Sequence, residues 1–350
     1  MYIIKTSSIS PQETSSGLSL DEIKPYTGNK YCAIEPNYTG LIRPAQLRRM
    51  GKSIRMGMGA GLPILKEAGQ VDGIILGSSE GGLEDCIKFL NQIVKYNEGA
   101  LTPTNFAQST PNALAGNLAL SGRIKAYNMT HVHRGLAVEN ALLDAILLFE
   151  EQKAESILLG NVEEISEYNF NIEKLAGQFK ADEICSNDLL SSQTPGTVCG
   201  EGSSMFLLSS KPQNAMAKLV DVGQVCYPKK SEIVEFVKAF LKSNNLAPQD
   251  IDSVVIGKNG DHRTDFWYDL VCDELFTSQN LYSYKNLVGE YATVSAFALY
   301  FACELVTGKR PPKETILRQG SEIQNVLIYN HYRGDQHGLM LVTKPMPGAI

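Results

Sequence analysis

No C-x-x-C pair occurs anywhere in the 350 residues. The seven cysteines (Cys32, Cys86, Cys185, Cys199, Cys226, Cys272, Cys303) are odd in number and widely scattered. They read as buried thiols of a reducing cytoplasm, and not as a disulfide framework or a zinc site. Met1 to Ser10 carries one lysine and no long apolar core, so no secretory signal is read there. No run approaches the roughly 20 apolar residues of a membrane span, so no membrane is expected. Formal net charge is -6 and no long basic run occurs, which argues against nucleic acid as the main partner. The most basic stretch holds Arg43, Arg48, Arg49, Lys52 and Arg55, and reads as a solvated helix face. A P-loop is missing, and the glycine-rich run Gly77 to Gly82 lacks the G-x-G-x-x-G spacing. No nucleotide, other cofactor or metal is therefore expected.

What is present is an ordinary globular composition, 43% hydrophobic and 20% charged, in a chain long enough for one large domain or two fused ones. Short β-branched runs alternate with helical stretches, which predicts an α/β fold. The pattern occurs twice. Asp72-Gly73-Ile74-Ile75-Leu76-Gly77 and Asp252-Ser253-Val254-Val255-Ile256-Gly257 each follow an amphipathic helix, around Leu62 to Ala68 and Ile233 to Leu241. Strand-like Ala126 to Met129 precedes an apolar helix from Leu136 to Phe149, as Leu281 to Tyr284 precedes one from Ala292 to Leu305. Ile157 to Gly160 then corresponds to Val326 to Tyr329, and Ser204 to Leu208 to Gly338 to Val342. The reading is a duplication, with halves 1–212 and 213–350 forming one layered unit. The two helices are nearly apolar all round, as helices between layers must be. Ala137, Ala141 and Ala145 make a small-residue stripe that admits another helix closely.

The local sequence resembles the β-ketoacyl-[acyl carrier protein] synthases of the thiolase fold. Arg48-Arg49-Met50 is similar to their RRM segment, and Gly77-Ser78-Ser79-Glu80-Gly81-Gly82 to the turn after their first long strand. Pro111 to Leu120 is similar to their N-x-x-A-x-x-(V/L)-A helix. Gly160-Asn161-Val162-Glu163 stands for Gly-Gly-Ala-Glu, Cys199-Gly200-Glu201-Gly202 for G-E-G-A, and Lys285-Asn286-Leu287-Val288-Gly289 for K-s-x-x-G. These pieces keep their order from about residue 40 to 342. The resemblance implies duplicated halves in an αβαβα arrangement.

It also implies a chemistry whose residues are missing. The family's nucleophilic cysteine opens a buried helix, where the helix dipole and backbone N–H groups favour the thiolate and an oxyanion. Thr130-His131-Val132-His133-Arg134-Gly135 places Val132 at that position, with His131, His133 and Arg134 as the other candidates; none is cysteine. The first catalytic histidine is replaced in Gly257-Lys258-Asn259-Gly260-Asp261 by Asn259, with His262 three residues on. The second is replaced by Glu290, whose charge opposes enolate formation. The gating loop G-F-G-G is replaced by Tyr332-Arg333-Gly334-Asp335.

The resemblance therefore implies a subunit inactive alone, similar to the cysteine-less chain-length factors. Such a subunit forms a heterodimer with an active ketosynthase, through a strand near Lys125 to Met129, in fatty-acid, polyketide or polyene assembly. Phe106 and Leu114 are then candidates for contact with the partner's acyl tunnel. Two other readings remain open. One is a malonyl-carrier decarboxylase using His131, His133 and Arg134. The other is a homodimeric scaffold that docks acidic acyl carrier protein on Arg48, Arg49 and their basic neighbours.

Overall fold

The two strands 180 residues apart, Gly73–Gly77 and Ser253–Ile256, are buried along their whole length, the mark of parallel strands covered on both faces. In the computed structural model, residues 1–15, 17, 23–320 and 322–345 are described. The chain opens with β1 (Tyr2–Ile9), β2 (Lys30–Tyr31), the one-turn helix α1 (Pro44–Leu47) and the long α2 (Lys52–Ala68). There follow β3 (Gly73–Gly77), α3 (Leu83–Lys95), α4 (Pro103–Gln108), α5 (Ala113–Gly122), β4 (Tyr127–His131), α6 (Ala137–Glu150) and β5 (Ser156–Asn161). The half closes with α7 (Glu167–Leu175), β6 (Cys199–Gly200) and β7 (Ser203–Ser209). The second half contains β8 (Ala217–Cys226), α8 (Ile233–Ser243), β9 (Ser253–Ile256), α9 (Phe266–Leu275), β10 (Asn280–Ser283), α10 (Lys285–Val288) and α11 (Ser295–Val306). It ends with β11 (Ile316–Arg318), β12 (Asn325–Tyr332) and β13 (Gln336–Thr343).

Among the described residues the strands form one long ladder, β11-β10-β9-β12-β13-β8-β1-β7-β5-β3-β4, with β2 and β6 paired apart. Its symmetry is visible in the order. β4-β3-β5-β7-β1 in one half matches β10-β9-β12-β13-β8 in the other. In each, the first three strands are parallel, and β7 or β13 runs antiparallel to both neighbours. Along this ladder the halves join at β1 and β8, where Tyr2 pairs with Lys218 and Ile3 with Ala217.

Side-chain alternation along the strands separates the layers. Ile75 and Val255 point into a central core shared with α6 and α11. Ile74 and Leu76 face outward onto α2 and α5, and Val254 and Ile256 onto α8 and α9. The arrangement is helix, sheet, helix, sheet, helix. All twelve residues of α11 are buried, which its apolar circumference anticipates. On α6, Ala137, Ala141 and Ala145 have no exposure, while Leu147 on another face is 55% exposed. In the outer layer, a β-carbon at Gly57 would collide with Leu114, and one at Gly61 would lie 2.8 Å from the Leu118 side chain. Glycine at these two positions lets α5 lie directly on α2.

The outer edges of the halves differ. β11 covers β10, but no strand among the described residues pairs with the free side of β4. The edge strand expected at Lys125 to Met129 lies two residues later, at Tyr127–His131. No helix among the described residues is long and apolar enough to cross a membrane.

Candidate functional site

Parallel strands deliver the loops at their carboxyl ends to one place. In this chain the turn after β3, the segment after β5, the loop after β9 and the β12–β13 hairpin enclose a cavity of about 470 Å³. Glu80, Glu163, Glu164, Glu173, Asp261, Glu290 and Asp335 line it, against the cations Arg263 and Arg333. Both arginines are engaged, Arg263 with Asp261 and Arg333 with Glu173. Glu163 accepts hydrogen bonds from the Ser79 and Glu80 N–H groups, yet burial pushes its carboxyl up to about 8. Burial likewise raises Glu164 to about 7 and lifts Glu80. Burial therefore favours the neutral form of these three carboxyls, while Asp261, Glu173 and Glu290 are each paired with a cation.

Asn259 and Glu290 meet in this cavity. Asn259 Nδ2 donates to Glu290 Oε2 at 2.6 Å, and the same oxygen accepts from Lys285 Nζ at 2.7 Å. The Lys285 side chain has no exposure. Two glycines allow the approach. A β-carbon at Gly200 would strike the Val288 carbonyl, and Gly289 has φ +74° with Gly200 against it. Cys199 and Glu290 consequently pair as a β-bridge between the halves. Asn259, Glu290 and Lys285 thus form one hydrogen-bonded set, in which Glu290 Oε1 is buried without a partner among the described residues.

The entrance to α6 is closed. Val132 follows the end of β4, is 52% exposed and does not line the cavity. Arg134 is left-handed at φ 49° and exposed. The Gly135 N–H, a backbone donor at this helix start, is taken by Gln336 Oε1 at 2.9 Å. Tyr332, which does line the cavity, packs so tightly on Gly135 that no β-carbon fits there. His131 and His133 do not converge on the cavity. His131 Nε2 lies 2.9 Å from Asp144, and His133 Nδ1 accepts from Asn140 at 2.7 Å. Among the described residues no group of three His, Cys, Asp or Glu side chains gathers to hold a metal. Cys199 is the cavity's cysteine among the described lining residues, and burial holds its thiol well above the usual range, protonated and a poor nucleophile.

Residues 28–178 match the model of the β-ketoacyl synthase N-terminal domain. The structure of a β-ketoacyl synthase from Burkholderia phymatum superposes with a TM-score of 0.78 at 15% identity, covering 98% of each chain. The ishigamide ketosynthase/chain length factor gives 0.79 at 14% identity, again over 98% of each chain. The ketosynthase ApeO in complex with its chain length factor ApeC from Xenorhabdus doucetiae gives 0.74 at 15% identity, over 98% of this chain and 97% of that one. This chain has a β-ketoacyl-synthase-like fold. No curated protein matches its sequence.

Within this ketosynthase-like frame the remaining expected residues separate. His262 is exposed and lies outside the cavity lining. Leu114 is 3% exposed and packs α5 onto α2 at Gly57. Phe106 is 60% exposed, beside Phe89 at 5.3 Å between ring centres. Arg43, Arg48 and Arg49 are exposed, while Lys52 pairs with buried Glu201 and Arg55 with Glu35.

Sequence reading missed the hairpin's support. Arg333 and Gly334 both have positive φ and make a tight turn, closed by the Asp335 N–H to the Tyr332 carbonyl. Buried His331 and His337 grip the turn: the Gly334 N–H donates to His331 Nδ1 at 3.3 Å, and His337 Nε2 donates to the Gly334 carbonyl at 2.9 Å. The signal was there in two histidines at paired positions of facing strands, but neither belonged to a family motif.

Proposed function

We propose that this chain is a ketosynthase-like subunit without condensing chemistry, of the chain-length-factor type, which pairs with an active ketosynthase. The hydrogen-bonded Asn259–Glu290–Lys285 set carries the proposal. The positions that the resemblance assigns to two catalytic histidines hold an amide and a carboxylate already bonded to each other and to a buried ammonium. That arrangement puts a carboxylate where an enolate would need a donor, and the entrance to α6 offers no thiol and no free Gly135 N–H. His131 and His133 are bonded elsewhere, which removes support from decarboxylation by that pair.

The free edge of β4 supports the partner. Its Tyr127 and Met129 are 37% and 39% exposed, and Val132, Phe106 and Leu147 add apolar surface. An unpaired strand with apolar neighbours is a template for strand addition by a second chain. Phe106 is our candidate for contact with the growing acyl chain, and Arg48 and Arg49 for docking an acidic carrier protein.

The test is co-expression with a cysteine-bearing ketosynthase, followed by size exclusion with mass analysis and a condensation assay. A one-to-one complex, with condensation in the mixture and none by this chain alone, is the expected outcome. A homodimer that ignores the ketosynthase would overturn the heterodimer and leave the carrier-binding scaffold.

A further inference from the structure

A second concavity of about 460 Å³ lies between α2, α5 and the segment entering α1. It is remote from the acidic cavity. The first turn of α2 faces that cavity, where the Ser53 N–H donates to Glu164, whereas this groove runs to Gly69 at the other end of the helix. Its floor includes Leu62 and Leu65, and its rim carries Leu120, Arg43, Lys66 and Arg123. Leu120 is 82% exposed, a large apolar side chain with little to cover it. Arg43 and Arg123 form no ion pair among the described residues, and Lys66 donates only to the Gly40 carbonyl.

Charge is segregated around this groove. Its lining holds three cations, Arg43, Lys66 and Arg123, and no acid, whereas Lys52 and Arg55 further along α2 are neutralised by Glu201 and Glu35. The whole chain has 32 basic and 38 acidic residues. The carboxyl ends of helices favour cations, which accounts for Lys66 and Arg123 near those ends of α2 and α5. It does not account for Arg43, which caps the amino end of α1.

We infer that this groove is a docking site for an acidic amphipathic helix of a protein partner, with an apolar side chain of that helix seated beside Leu120 and its carboxylates on Arg43, Lys66 and Arg123. A concave apolar floor receives a ridge of side chains, as in other helix-in-groove contacts. The basic rim fixes the sign of the partner's charge and speeds the encounter. A flat anionic membrane would not reach the floor, and a phosphate alone would not use it.

The test is fluorescence anisotropy of the full chain with a labelled amphipathic helical peptide of leucine and glutamate. Saturable binding is expected, weakened about tenfold or more, equivalent to about 1.4 kcal/mol, by Leu120→Ser and by the double variant Arg43→Glu/Arg123→Glu. Lys229→Glu, an exposed lysine in the second half, should leave it unchanged, and circular dichroism checks that each variant folds. No saturable binding would overturn the proposal, as would equal binding of a leucine–lysine peptide. So would groove variants that bind as wild type, or capture of the chain by phosphatidylglycerol vesicles while the peptide is ignored. Each of these results leaves pairing with a ketosynthase untouched, since that is read on a different complex.

Discussion

Lys285 is a lysine with no exposed side-chain surface, and its ammonium is held by one carboxylate, that of Glu290. A buried ion pair adds little net stability, because desolvation offsets the attraction, but removing one partner strands the other. Glu290→Gln should therefore cost about 3–5 kcal/mol, read as a lower urea midpoint. A loss under 1 kcal/mol would mean that water reaches Lys285 in place of the carboxylate. Val132 leads to the opposite expectation. It is exposed, so Val132→Cys should fold as wild type. It should also gain no acyl transfer, because Gln336 holds the Gly135 N–H and Tyr332 stands between the segment and the cavity. Intact mass after incubation with an acyl thioester checks this; acylation of the variant beyond the wild-type level would show that restoring the thiol suffices.

At the scale of elements, α6 carries a cost within its apolar face. Glu139 is fully buried beside Gly338, its Oε2 has no hydrogen-bond partner among the described residues, and burial pushes its carboxyl up to about 7 from 4.5. A raised native value means that the folded state holds the proton more tightly than the unfolded chain. The resulting stabilisation is complete below pH 4.5 and is lost as pH rises through 7. At about 1.4 kcal/mol per pH unit, the loss by pH 8 is on the order of 3 kcal/mol. Glu139→Gln should match the wild type near pH 4.5 and exceed it by about that amount at pH 8, measured by urea unfolding across this range. A difference that does not vary with pH would place the charge elsewhere. Most of the elements themselves were legible in the sequence. β3, β9, α6 and α11 are long or fully buried runs whose periodicity is unambiguous, and the repeat fixed their order. β1 and β8 were not read as an equivalent pair, because half-exposed strands such as YIIKTSSI carry no continuous apolar signal. Nor could the site's connections be read. The Gly135–Gln336 bond joins residues 201 apart, and Asn259 reaches Glu290 only because Gly200 and Gly289 let the halves touch. Motif spacing located the altered positions but not what they bind.

For the whole molecule, the duplicated halves make their differences informative. β10 and β4 occupy equivalent places in the two half-sheets, yet only β10 has a strand, β11, over its outer edge. α11 is buried on all sides, whereas its counterpart α6, whose Asp144 accepts a hydrogen bond from Tyr127 of β4, leaves Leu147 exposed about one turn further on. Both asymmetries lie on the same side of the first half, as expected if a second chain completes there what β11 completes in the other half. A substitution confined to that edge separates assembly from folding. Met129 is 39% exposed at the middle of β4, so Met129→Asp should change the unfolding free energy of the isolated chain by no more than about 0.5 kcal/mol. The same carboxylate, buried unpaired in an interface, costs several kcal/mol and should abolish a stable complex with the ketosynthase. Light scattering after size exclusion reads the assembly and thermal unfolding reads the fold. A variant that pairs as well as the wild type would place the partner on another face; one that pairs poorly and also unfolds early would make β4 part of this chain's own stability.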